Sequence, residues 1–106
     1  MNEMMQAMQQ LQAMQQKMAD AQAALENKTV TEETGGGIVR ATMTGSQRLT
    51  KLEIKPEAID ASDTAMLEDL VITAVNKAIE ASKAMAARDM EDATRGMMPN
   101  IPGLGI

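Results

Sequence analysis

Side chains able to do chemistry are sparse in this chain of 106 residues, and they are of three kinds: cations, carboxylates and thioethers. The cations are Lys17 and Lys28 near the start, Arg40, Arg48, Lys51 and Lys55 in the middle, and Lys77, Lys83, Arg88 and Arg95 toward the end. Singly each reads as solvated surface, and if nucleic acid binds, its contacts fall mostly on the duplex backbone. The carboxylates do not converge. Glu68 and Asp69 are neighbours and point about 100° apart on a helix, while Glu32 and Glu33 fall on opposite faces of a strand. Thioethers can hold soft copper, and Met4, Met8 and Met14 are among twelve methionines. Without Cys or His beside them such a site would be weak, and the same positions fit a helix-packing stripe. No His is available as a general base and no Cys as a nucleophile. These residues predict no enzyme, no catalytic residue, no cofactor, no metal site and no small-molecule substrate.

Gly35-Gly36-Gly37 is the remaining candidate for chemistry, as a phosphate cradle. Such a loop leads from a strand into a helix whose N-terminus meets the anion. Here both flanks read as strands and no Gly-Lys-Ser/Thr follows, so the glycines are expected to form a hairpin turn.

The formal charge of −5 is unevenly distributed. Residues 56–72 hold Glu57, Asp60, Asp63, Glu68 and Asp69 with no cation, and the rest of the chain is close to neutral. A polyanion could therefore approach surfaces away from this acidic elbow. The absence of Phe, Tyr and Trp removes stacking on single-stranded bases. It also leaves a small core built from Leu, Ile, Val, Ala and flexible Met, which predicts completion by a second copy. No window is long and apolar enough for a membrane span, and the start has neither a basic region nor an apolar run. A cytoplasmic location is expected.

The elements that must position these groups follow from periodicity. Residues 2–27, within a first segment of 1–28, read as one helix about 39 Å long. Met4, Leu11, Met18 and Leu25 recur every seven residues, with Ala7, Met14 and Ala21 three residues after the first three, which predicts a packing seam. Part of this helix must project beyond a small sheet or lie along another helix. Three strands follow within 29–55: Thr29–Thr34, Ile38–Thr44 and Arg48–Lys55, the last ended by Pro56. Gly45-Ser46 reads as a two-residue type II′ turn. Val39, Ala41 and Met43, with Leu52 and Ile54, predict one covered apolar face. The helical period returns over 63–95, with Asp63 as N-cap. Leu67, Leu70, Val71, Ala74, Val75, Ala78 and Ile79 form its buried stripe, and a more solvent-facing continuation is expected beyond. Residues 1–95 are thus one α+β domain, and 96–106, rich in Gly and Pro, reads as a flexible tail.

The run GGGIVRATMTGSQRLTKLEIKPEAI, followed by DTAMLEDLVITAVNKAIEAS, resembles the YbaB/EbfC family of bacterial nucleoid-associated proteins. The family's Gly-x-Gly-hydrophobic-Val opening corresponds to Gly35–Val39, its strand-ending Ile-x-Pro to Ile54–Pro56, and its Met-Leu-Glu-Asp-Leu-Val to Met66–Val71. Lys55 departs from the Asp usual in relatives, and the first helix carries fewer Lys. The resemblance implies a long N-terminal helix, a three-stranded antiparallel sheet and a long C-terminal helix, paired as a tweezer-like homodimer. It implies binding of double-stranded DNA and an influence on the nucleoid and on gene expression. Carried over by position, the DNA-contacting cations are Lys17, Lys28, Lys77, Lys83, Arg88 and Arg95. The Met/Gln-rich helix also admits a different reading, an adaptor that grips a partner protein's helix without DNA.

Overall fold

The computed structural model describes residues 2–95. They form α1 (Asn2–Leu25), β1 (Thr29–Thr34), β2 (Val39–Thr44), β3 (Leu49–Ile54), a short 3-10 turn (Pro56–Ala58) and α2 (Thr64–Thr94). The strands make one antiparallel sheet in the order β1-β2-β3. The α+β class and the order helix, meander, helix are as expected, whereas the tail at 96–106 lies outside the described residues. α1 ends earlier than expected. The N–H groups of Glu26, Asn27 and Lys28 each reach back three residues, to Ala23, Ala24 and Leu25, which tightens the last turn and closes the helix.

The two hairpin turns are built differently. Gly35, Gly36 and Gly37 have φ of 63°, 71° and 94°, a succession only glycine adopts without strain, and they join β1 to β2 as expected. The second turn corrects the type II′ expectation. Thr44 N–H donates to Arg48 O at 2.8 Å and Gln47 N–H to Thr44 O at 3.0 Å, so Gly45, Ser46 and Gln47 form a three-residue loop. Its left-handed residue is Gln47, at φ 65°. Gly45 is needed there for space instead. A Cβ on it would stand 2.5 Å from Leu25 Cδ2 and 3.0 Å from Leu25 O. Its N–H is shared between Leu25 O and Lys28 O, both at 2.9 Å, so the end of α1 is docked on this turn.

The core lies between the sheet and α2. Val39, Ala41 and Met43 alternate along the central strand and are buried. Ala74, Ala78 and Ser82, four residues apart on α2, are buried against them, and their small side chains let the helix come close. Leu67, Leu70, Val71, Val75 and Ile79 fill the margins, with Val30 and Ile54 from the outer strands. Buried Ser82 donates its hydroxyl to Thr44 O at 2.6 Å. The expectation of a solvent-facing helix after Ile79 is therefore corrected. Ser82 is buried and Met85, Ala86, Asp89 and Met90 are half-buried, because α1 packs antiparallel beside this half of α2.

Two apolar rows remain uncovered. α2 packs over β1 and β2 and meets β3 only at its margin. Antiparallel partners share a face, so Leu52 lies on the α2 side with Ala41, and Ile54 with Val39. Yet Leu52 is 39% exposed, which corrects the expectation that it would be covered. The seam of α1 is corrected likewise. Leu25 is buried, but Met4, Leu11 and Met18 are 74%, 52% and 36% exposed. Ala21 and Ala24 lie beside Asp92 and Ala93, so the earlier residues of α1 run past the last described residue of α2.

The docking of α1 on Gly45 sets an expected pair of outcomes in urea denaturation. Gly45→Ala lowers stability by about 2–3 kcal/mol, because its methyl must displace Leu25. Gly36→Ala, in open space, loses only the left-handed conformational cost of about 1 kcal/mol.

Candidate functional site

Charge of a single sign is confined to one end of the molecule. α2 begins beside the glycine turn, where a Cβ on Gly35 would lie 3.3 Å from Leu70. The base of α1 meets α2 at the other end of the sheet, where Lys28 pairs with Asp89. Strands of six residues span about 20 Å, which separates the acidic elbow from the α1 end. In the elbow, Asp60 accepts the Ser62 hydroxyl at 2.6 Å and the Ser62 N–H at 2.9 Å. These two bonds hold its carboxyl below the ordinary 3.8. The elbow thus keeps this charge to lower pH, and the Asp60–Ser62 contact is lost only as pH falls through the lowered value. Asp63 caps α2 as expected, accepting the Met66 N–H at 3.2 Å.

The six cations singled out from sequence divide into held and unpaired. Lys28 Nζ lies 2.6 Å from Asp89 Oδ2. Arg95 is held by Asp92 at 3.3 Å and by Glu91 at 3.9 Å. Lys77 donates to the backbone carbonyl of Glu33 at 2.8 Å, on the unpaired edge of β1. Lys17, Lys83 and Arg88 have no acidic partner among the described residues. At about 100° per residue, Lys77, Arg88 and Arg95 fall within about 20° of one line along α2, and Lys83 points about 120° away. The structure therefore aligns three cations on one flank, over about 27 Å. It places Lys83 on the other flank and Lys17 on α1.

Among the described residues, two of the four sheet cations are paired. Arg40 pairs with Glu33 at 3.4 Å and Lys51 with Glu53 at 3.6 Å. Arg48 is different. It lines a polar cleft of about 270 Å³ at the base of α1, with Glu26, Asn27, Thr44 and Ser46. Sequence reasoning did not select it, because only the docking of α1 on the Gly45 turn brings it to the α1 end. Its place three residues after Gly45 was the one available signal.

A second, open groove of about 630 Å³ runs along α2 and β1, lined by Glu32, Thr73, Asn76, Lys77, Glu80 and Ala81. It presents a hydroxyl, an amide and charges of both signs, without a nucleophile held by a base. Among the described residues no cluster of His, Cys, Asp or Glu could hold a metal ion. No described helix is long and apolar enough to cross a membrane.

Two antiparallel helices joined through a three-stranded meander, cationic positions along the helices and carboxylates at the far end define a small α+β protein with a projecting helical arm. The solved structure of an uncharacterized protein from Helicobacter pylori shares this fold, with a TM-score of 0.65 and 19% identity, over 74% of this chain and 82% of that one. The profile of the YbaB/EbfC DNA-binding family matches residues 1–97. A nucleoid-associated protein of Desulforamulus reducens is 48% identical over 98% of this chain and 94% of its own length. Another, from Alkaliphilus metalliredigens, is 43% identical over 92% of this chain and 83% of its own. The chain belongs to the YbaB/EbfC DNA-binding family, which is a DNA-binding family and not an enzyme family.

The pair that joins the two helices is half open to solvent. A double-mutant cycle on Lys28→Ala and Asp89→Ala is expected to give a coupling below about 1 kcal/mol in thermal or urea unfolding, shrinking as salt rises.

Proposed function

We propose that the protein is a nucleoid-associated homodimer that binds double-stranded DNA mainly through the phosphate backbone. In this reading it acts in the cytoplasm on nucleoid organisation and gene expression. The observation that carries the reading is the separation of charge. Among the described residues Lys17, Lys83 and Arg88 stand without acidic partners on the helices, while the acidic elbow lies at the opposite end of the sheet. A duplex gripped at the helical end meets these cations and stays clear of the five carboxylates of the elbow, so the net charge of −5 does not forbid it. Without aromatic side chains the contacts fall on phosphate and sugar, and any sequence preference comes from DNA shape.

The uncovered face of β3 supports pairing of two copies. Lys77, by reaching the edge of β1, fixes which flank of α2 faces that strand. Ile72 and Ile79 lie on the opposite flank, toward β3. Ile72 is 56% exposed, and with Leu49 and Leu52 it borders an apolar trough between α2 and β3. A second copy seated there completes a core that has no aromatic residue to fill it.

Mobility shift with random duplex tests the reading. Affinity is expected to fall with salt at a log–log slope of about −5, taking Lys17, Lys83 and Arg88 of both copies at about 0.9 per phosphate. Lys83→Glu combined with Arg88→Glu is expected to weaken binding by at least about tenfold, whereas Lys51→Glu, on the sheet, changes it little. Leu52→Glu is expected to abolish this trough-mediated pairing in sedimentation. Unchanged affinity in the double variant would remove the helical cations from the interface. The exposed Met4, Met8 and Leu11 favour a second reading, the protein adaptor. Failure to shift random duplex even at low salt selects it.

A further inference from the structure

The projecting part of α1 carries an apolar stripe that the described residues leave largely uncovered. Met4, Met8, Leu11 and Met18 are exposed along it. Between residues 2 and 18 there are two charges, Glu3 and Lys17. Each stands one residue before a seam position, Met4 and Met18, and so flanks the seam on the same side. We propose that this segment pairs antiparallel with the same segment of a second copy, arm on arm, at a site separate from the β3 trough.

The orientation follows from the charges. In a parallel helix pair a residue at this flanking position faces the one five further along the other helix. Glu3 would then face Met8, and Lys17 would face Gln22, with no ion pair formed. In an antiparallel pair the position faces its own kind. Glu3 of each copy meets Lys17 of the other, two ion pairs related by a twofold axis, and Gln10 meets Gln10 on that axis. The seam stacks in the same register, with Met4 against Met14 and Ala7 against Leu11, each contact made twice. Leu against Ala keeps the two helices close, and Met against Met fills the ends. A membrane surface is the poorer occupant, because an interfacial helix needs several cations beside its apolar face and this stretch has one. The pairing draws on the exposed Glu3, Met4, Leu11 and Lys17 and on Met14, which the single chain leaves half-buried.

Sedimentation of the full chain without DNA, over about a hundredfold range of concentration, tests this. The wild-type chain is expected to associate beyond the species formed by Leu11→Glu. Glu3→Lys and Lys17→Glu each replace two ion pairs with two like-charge contacts and are expected to weaken the association by about tenfold. The two changes in one chain restore it. The chain has no cysteine, so a single introduced one reports the geometry. Gln10→Cys is expected to cross-link two chains on oxidation, and Gln9→Cys, on the opposite face of α1, is not. Repeating the charge swap with Leu52→Glu separates this contact from the dimer proposed above, since arm pairing survives there without the trough. Identical sedimentation of the wild-type chain and Leu11→Glu would overturn the proposal. So would failure of the double swap to restore association, or equal cross-linking at positions 9 and 10.

Discussion

One turn holds the molecule together. At Thr44 and Gly45 the chain receives both helices: the Gly45 N–H bonds the last carbonyl of α1 and that of Lys28 just beyond it, and the Ser82 hydroxyl of α2 bonds the Thr44 carbonyl. Neither contact tolerates much change. A side chain at 45 would occupy the space of Leu25, and a residue at 82 without a hydroxyl would leave a buried carbonyl short of a partner. Because both helices leave from this point, their relative direction is set here, and the arm beyond Ala21 inherits it. The rest of the sheet serves as a rigid base six residues long.

The same junction determines what the charges can do. Lys28 is brought onto Asp89 because α1 ends where α2 passes, and a cation that would otherwise be offered to solvent becomes a helix-to-helix tie. Arg95 is held within its own helix by Glu91 and Asp92. The cations left unpaired are therefore a subset that no count of Lys and Arg would select. The carboxylates of the elbow lie a sheet-length away, so an acidic region and a nearly neutral one with unpaired cations coexist on a chain that is acidic on average. Solvent screening over about 8–10 Å makes that separation effective at ordinary ionic strength.

A core without aromatic side chains has a structural consequence as well as a compositional one. Ala74, Ala78 and Ser82 bring α2 down onto β1 and β2, and a helix seated that closely over two strands cannot also cover the third. The exposed Leu52 and Ile72 are the remainder of this choice, as the exposed Met4 and Leu11 are the remainder of an arm longer than its neighbour. Apolar rows of this kind on a small domain are surfaces for assembly. The two rows lie in different parts of the molecule, so each can be occupied without displacing the other.

Periodicity was enough to read the elements. The seven-residue recurrence from Met4 to Leu25, the alternation of Val39, Ala41 and Met43, the glycine turn and the Asp63 cap all depend on contacts within a few residues, and these were legible. The family resemblance was legible for the same reason, being carried by contiguous motifs such as Met66–Val71. What depended on distant partners was not. Ser82 looked like an ordinary polar residue on an outer helix until Thr44 was placed beneath it, and Gly45 looked like a turn former until Leu25 was placed against it. Periodicity identifies an apolar face but not whether anything reaches it, so Leu25 and Met4 share one pattern yet only Leu25 is buried. The pairing of Lys28, the freedom of Lys83 and the position of Arg48 were decided by tertiary structure, because an ion pair depends on distance in space and the sequence states only distance along the chain.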